Sequence, residues 1–164
     1  MSIITNVRTI RLEQFPNSIW VEIETDENLT GLGEAWRGTA AIETIIHHDI
    51  CPWLIGQDSR NIELISRTLL TPYVGFHSAS AEIRAASAID IALWDLAGKR
   101  HGIPVYEALG GASRSSIQVY NTCSGYSFNA SSSAYNSGTS RRMITDKDEM
   151  RGPYDDQVAF TRDA

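Results

Sequence analysis

The chain has 164 residues, of which 42% are hydrophobic, 21% charged and 9% aromatic. These fractions exclude collagen-like, low-complexity and wholly disordered chains, and the length suits one domain or one domain with an appendage. Fourteen Lys and Arg stand against 20 Asp and Glu, for a formal charge of −6. That balance, with no basic stripe, lacks the electrostatic footprint of a nucleic-acid binder. No apolar run approaches the roughly 18 residues of a membrane span.

The opening MSIITNVRTIRLEQ reads as a charged strand rather than a signal peptide. Cys51 and Cys123 lie far apart. A single disulfide stays open, but no disulfide framework or CxxC pair is present, and a reducing, cytoplasmic setting is the expectation.

Ile3 to Phe15 forms the first strand, closed by the turn Phe15-Pro16-Asn17. Ile19, Val21 and Ile23 then alternate with Trp20, Glu22 and Glu24, the period of a strand with one buried face. After the turn Asp26-Glu27-Asn28, a third strand runs from Thr30 to Trp36 through GLGEAW. Short connections imply an antiparallel meander. Gly31 and Gly33 permit tight turning or a close backbone approach.

Helices follow. Thr39 is placed to cap a helix with the stripe Ile42, Ile45, Ile46 and Ile50, which Pro52 ends or kinks and Gly56 stops. Asp58 is placed to cap a second helix, with Ile62, Ile65 and Leu69 inward and Pro72 closing it. Ser80 caps a third, running to about Arg100. Ala86, Ile89, Leu93 and Leu96 form one face of it, and Ala88, Ile91 and Ala92 the other. A helix apolar nearly all round is buried between two layers. A short strand is expected over Ile117 to Tyr120, and its lack of an obvious partner hints that the fold is incomplete. Residues 129–152 read as a long mobile loop, and a further helix begins near Asp155.

Each candidate site has a plain alternative. His47 and Cys51, four apart, offer two metal ligands, too few for a structural zinc, and otherwise a solvated helix face. Asp95 pairs with Lys99 at i+4, whereas Asp90 sits on an apolar arc and needs a partner, an arginine or backbone N–H groups. Glu34 and Arg37 end a strand, where Arg37 grips a carboxylate bidentately or joins a surface ion pair. Tyr73, Phe76 and His77 around Gly75 contact a ligand or pack a corner. Asn121, Thr122, Cys123 and Tyr126 follow the isolated strand. No nucleophile elbow, phosphate loop or catalytic triad is present.

GLGEAW after a β-meander, then AIDIALWDLAGKRHGIPVYEALGG, then IQVYNT, resemble the start of the enolase superfamily, in its mandelate racemase and muconate-lactonizing branch. The resemblance covers roughly residues 1–128. It implies an α+β fold, a three-stranded antiparallel meander followed by a helical bundle. Residues 1–112 would form the N-terminal capping domain. Residues 113–164 would be the truncated start of a (β/α) barrel, with its first strand and the beginning of its first helix.

It further implies a Mg2+-dependent enzyme that abstracts a proton alpha to a carboxylate, as an acid-sugar dehydratase, racemase or cycloisomerase. Acid-sugar dehydration is preferred within the branch. Implied partners are a small carboxylate such as a sugar acid and further copies of the chain in a homo-oligomer, with neither nucleic acid nor membrane. The family's bases and metal ligands lie on later barrel strands, so no catalytic or metal residue is carried over. This stretch is expected to bind no magnesium and to be inactive alone. Cap loops that close over substrate would fall at Phe15, Pro16 and Asn17 and at Trp36, Arg37 and Gly38, with Asn121 and Tyr126 near the barrel mouth. Phe15, Asn17, Trp36, Arg37, Asn121 and Tyr126 are the expected substrate-binding residues. The alternative is a non-catalytic interaction module that pairs its exposed strand with another chain.

Overall fold

The computed structural model describes residues 1–13, 15–71 and 80–119. The chain divides into two units, one of Met1–Leu12 with Ser18–Ser115, the other of Glu13–Asn17 with Ser116–Ala164. The packing that follows belongs to the first.

Three strands form one antiparallel sheet in the order β1 (Ile4–Arg11), β2 (Ser18–Thr25) and β3 (Thr30–Trp36). The first strand is shorter than the spread of Ile, Val and Thr predicts, and β3 keeps its expected bounds. Strict alternation along β2 sends Ile19, Val21 and Ile23 into the core and Trp20, Glu22 and Glu24 outward. Ile10 pairs across with Trp20, and Trp20 with Glu34. The β2–β3 turn uses Asn28 at φ 58, a left-handed conformation that Asn tolerates better than most residues.

Past Gly38, the chain forms α1 (Thr39–Thr44), a π-helical turn (Ile45–Ile50) and α2 (Cys51–Leu54). The helix expected here is therefore not regular. Gly38, not Thr39, occupies the capping position. Pro52 sits in the first turn of α2, where it is tolerated, but it has no N–H for the carbonyl four residues earlier. The backbone widens instead, and Cys51 N–H bonds the carbonyl of Ile46, five residues back. Ile42, Ile46 and Ile50 still face the core. Gly56, at φ 91, ends the segment as expected, and its N–H bonds the carbonyl of Ile4 at 2.9 Å.

The next helix, α3 (Ile62–Leu70), is flanked by Asn61 rather than Asp58. Asp58 serves the chain start instead. Its Oδ1 accepts the N–H of Ser2 at 3.2 Å and of Arg60 at 3.1 Å, and Arg60 Nη2 reaches Oδ2 at 2.6 Å. Pro72 lies outside the described residues.

Ser80 stands at the capping position of α4 (Ala81–His101). The helix closes in a Schellman turn, with Gly102 at φ 66 and Ile103 N–H on the carbonyl of Gly98 at 3.0 Å. A short α5 (Val105–Ala108) follows. Two glycines let α4 lie directly on β3. A Cβ on Gly31 would sit 2.1 Å from the Ala92 carbonyl oxygen, and one on Gly33 1.9 Å from that of Ala88. Close approach is thus their purpose. Val21, Ile23, Ile89, Leu93 and Leu96 fill the layer between sheet and helix and are fully buried, each such side chain stabilising the fold by about 1.5–3 kcal/mol. At the sheet margin, Asp95 Oδ2 accepts the N–H of Leu32 at 2.7 Å, while Lys99 Nζ donates to the Thr30 carbonyl at 2.7 Å. The expected Asp95–Lys99 pair also forms, at 2.7 Å.

Burial of α4 is not complete. Ala88 and Ala92 are buried, but Ile91 is 49% exposed, because the sheet and α3 cover only part of its circumference. The strand expected from Ile117 is not formed over its described part, where Ile117 and Val119 are exposed and outside any ladder. A strand needs a neighbour, and the described residues supply none. The loop expected at 129–152 and the helix near Asp155 lie outside the described residues. Among the described residues, no helix is long and apolar enough to cross a membrane.

Candidate functional site

The best-defined candidate is the corner where β3 gives way to α1. Alternation in β3 turns Gly31, Gly33 and Ala35 inward, so Trp36 falls on the outer face and is 43% exposed. Arg37 and Gly38 both take left-handed conformations, at φ 66 and 76. For Gly this is free, but for Arg it costs about 1–2 kcal/mol. Arg84 in α4 compensates by donating from Nη1 to the Arg37 carbonyl at 3.1 Å. The corner leaves the Arg37 guanidinium over the Trp36 ring, 4.8 Å from its centroid. That cation–π contact, ~0.5–1 kcal/mol at such a site, orients a planar cation beside an exposed indole. Such a pair suits a planar anion, a carboxylate above all.

Phe15 and Asn17 belong to the second unit, and Phe15 is exposed. Asn121 and Tyr126 lie outside the described residues, as do Tyr73, Phe76 and His77. Glu34 projects from the exposed face of β3.

Asp90 is half-buried, and its partner is neither an arginine nor a backbone amide but the hydroxyl of Ser66, which ties α3 to α4. Beside it the uncovered side of α4 forms a cavity of about 680 Å3, lined by Leu32, Ile91, Trp94 and Leu109 among others.

A second polar group spans β1 and the π-turn. Arg11 Nη1 donates to Glu43 Oε2 at 2.9 Å, Thr9 Oγ1 lies 3.0 Å from Glu43 Oε1 and 2.8 Å from His47 Nε2, and His47 Nδ1 stands 4.0 Å from Cys51 Sγ. The Arg11 bond holds the Glu43 carboxyl below its ordinary range, helped by the Thr9 hydroxyl. Burial pushes the free Cys51 thiol up. His47 is exposed, as a solvated helix face predicts, but Cys51 is buried against that expectation, and His47 is joined to β1 through Thr9. Among the described residues, no three or more His, Cys, Asp or Glu are grouped to hold a metal ion.

The family model for the mandelate racemase / muconate lactonizing enzyme N-terminal domain matches residues 6–110. The chain belongs to this family. Within it, α4, the strand-end corner and all of the meander but Ile4 and Thr5 fall inside the matched N-terminal domain.

The chain is 36% identical over 126 residues to a D-mannonate dehydratase of Rhizorhabdus wittichii, and 39% identical over 124 residues to a D-galactonate dehydratase of Ralstonia nicotianae. Each alignment covers 74% of this chain and 31% of the relative, so the chain spans about a third of the length of these relatives. A crystal structure of an enolase protein from Sargasso Sea environmental sequencing superposes with TM-score 0.71 at 57% identity, covering 76% of this chain and 34% of that one. A mandelate racemase/muconate lactonizing protein from Paracoccus denitrificans, complexed with magnesium, gives TM-score 0.62 at 31% identity, covering 70% of this chain and 32% of that one. These neighbours place the fold in the mandelate racemase subgroup of the enolase superfamily.

Arg84 escaped sequence reasoning because it lies 47 residues from the carbonyl it holds. The same distance problem hid the joining of Thr9 to His47.

Proposed function

We propose that this chain is the capping part of an enzyme that removes the proton alpha to the carboxylate of a sugar acid, with dehydration as the outcome. The observation that carries the proposal is the match to the family's N-terminal domain, within which a strained, Arg84-held corner presents Arg37 on Trp36. In this reading the Arg37 guanidinium grips the substrate carboxylate, and the Trp36 ring shields it from water. Excluding water strengthens every electrostatic interaction at the reacting carbon. Phe15, Asn17, Asn121 and Tyr126 enter as substrate-facing residues on the strength of the resemblance alone. Magnesium, when bound, would supply charge stabilisation for the enediolate. The described residues do not form a ligand set for it, so none is assigned to it. The uncovered side of α4 is where further polypeptide packs. The natural protein works in the cytoplasm as a homo-oligomer.

The test begins with the intact mass of the natural protein, followed by incubation with D-galactonate and D-mannonate with and without magnesium. Expected is magnesium-dependent formation of a keto acid from one of them or from another sugar acid. Arg37→Ala should raise KM by about 10-fold or more. A natural protein of full family length that turns over no sugar acid would refute the proposal. An intact mass matching these 164 residues alone would replace it with the non-catalytic module.

A further inference from the structure

One row of residues on α4, spaced by four, runs beside β3. The Ala92 carbonyl lies against Gly31 and the Ala88 carbonyl against Gly33. Four helical residues rise about 6 Å and two strand residues roughly 6.6 Å, so helix and strand keep step. One further step along the row brings Arg84, in the first turn of α4. The row is small where the backbones touch and long only here, where β3 ends at Trp36. Arg84 is half-buried, and its Nη1 donates to the Arg37 carbonyl at 3.1 Å. Ala88 and Ala92 are fully buried, so the helix from which Arg84 reaches is fixed against the strand. The bonded carbonyl belongs to the residue that carries the strain, Arg37 at φ 66, and Gly38 follows at φ 76.

We propose that Arg84 is the positioning residue of this corner: by holding the Arg37 carbonyl, it keeps the turn left-handed and the Arg37 guanidinium on the Trp36 ring. It acts through the backbone of Arg37 and does not touch the substrate. A non-glycine residue at φ 66 relaxes to right-handed or extended backbone unless its surroundings hold it. Relaxation re-aims the Arg37 side chain, and the guanidinium leaves its place 4.8 Å from the ring centroid. The cation–π contact alone is weaker than that strain, whereas a hydrogen bond from a charged donor matches it. The consequence for substrate rests on the grip proposed for Arg37. A guanidinium already held in one direction loses less freedom when it closes on a carboxylate.

Proton NMR of the full chain reads the positioning without substrate. In the unsubstituted chain the Arg37 side-chain protons should be shifted upfield by the indole ring, and Arg37 should show the strong amide-to-α-proton contact of a positive φ. Arg84→Met keeps the stem along α4 and removes the donors, so both signals should be lost. Arg84→Lys returns one donor, all that a single carbonyl needs, and should restore most of the ring shift, a rescue that packing of the stem would not produce. In the intact natural protein, Arg84→Met should raise KM by about 10-fold with kcat within about twofold, and should add nothing to Arg37→Ala. Ring shifts that survive Arg84→Met, or a rise in KM that multiplies that of Arg37→Ala, overturn the proposal. Ring shifts lost while KM stays unchanged would leave Arg84 in its role and overturn instead the grip proposed for Arg37. An unsubstituted chain that lacks both signals also overturns the proposal, so the matter is decided even where Arg84→Met does not fold.

Discussion

Gly33→Ala tests the contact on which the sheet–helix packing depends. The new Cβ would lie 1.9 Å from the Ala88 carbonyl oxygen and 2.9 Å from its carbon. Comfortable carbon–oxygen contacts are about 3.3 Å, so strand and helix must part by about 1.4 Å. Both clashing atoms are backbone in the middle of a 21-residue helix, so no side chain can rotate away. The shift opens gaps against Val21, Ile89 and Leu93, all fully buried. Overpacking of this kind costs about 3 kcal/mol, the upper end of the usual range. For a unit of this size that lowers Tm by roughly 10 °C. Gly38→Ala is the control, because nothing lies within 4 Å of its Cβ position and only φ 76 opposes the change; its cost is about 1 kcal/mol. Thermal unfolding followed by circular dichroism compares the two. If Gly33→Ala melts within about 3 °C of the unsubstituted chain, or above Gly38→Ala, the close-approach argument is wrong.

Arg100 holds three groups at once, Ser2 Oγ at 2.6 Å, Ser59 Oγ at 2.9 Å and Glu27 Oε2 at 3.0 Å, and both serines are fully buried. Arg100→Ala should cost about 3 kcal/mol in a denaturant titration, and Arg100→Lys should recover little of it, since a point charge cannot replace the fork. The Asp58 carboxyl is held well below the usual carboxylate range, first by the Arg60 side chain and then by the N–H groups of Arg60 and Ser2. A depressed folded pKa means stabilisation that is complete above the unfolded value and fades as pH falls towards the folded one. The stability difference between the unsubstituted chain and Asp58→Asn should therefore be flat between about pH 7 and 5 and shrink below about pH 4. An unchanged difference in acid would contradict the assigned bonds.

Much of this fold is legible because its elements announce their ends. The strand Thr30–Trp36 lies between an Asp-Glu-Asn turn and a glycine, and α4 lies between Ser80 and Gly102. The π-turn was not legible. Hydrophobic spacing distinguishes a period of 3.6 from a period of 2, but a single widened turn keeps Ile42, Ile46 and Ile50 on the same face. Asp58 has the chemistry of a helix cap, and only the arrival of Ser2 from 56 residues away shows that it is used otherwise. At the candidate site, Trp36 and Arg37 were readable as strand-end residues. The left-handed turn at Arg37 was not, because it depends on a hydrogen bond from another helix.

The side chains that α4 lends to the margin of β3 have a consequence for solution behaviour. Asp95 and Lys99 occupy one amide and one carbonyl that an incoming strand would require, and they do so with charges of opposite sign. A foreign strand arriving there would have to displace an ion pair before making its first ladder bond. The helix thereby guards the sheet against fibrous growth on that side, and a chain lacking either charge would be more prone to form amyloid-like stacks.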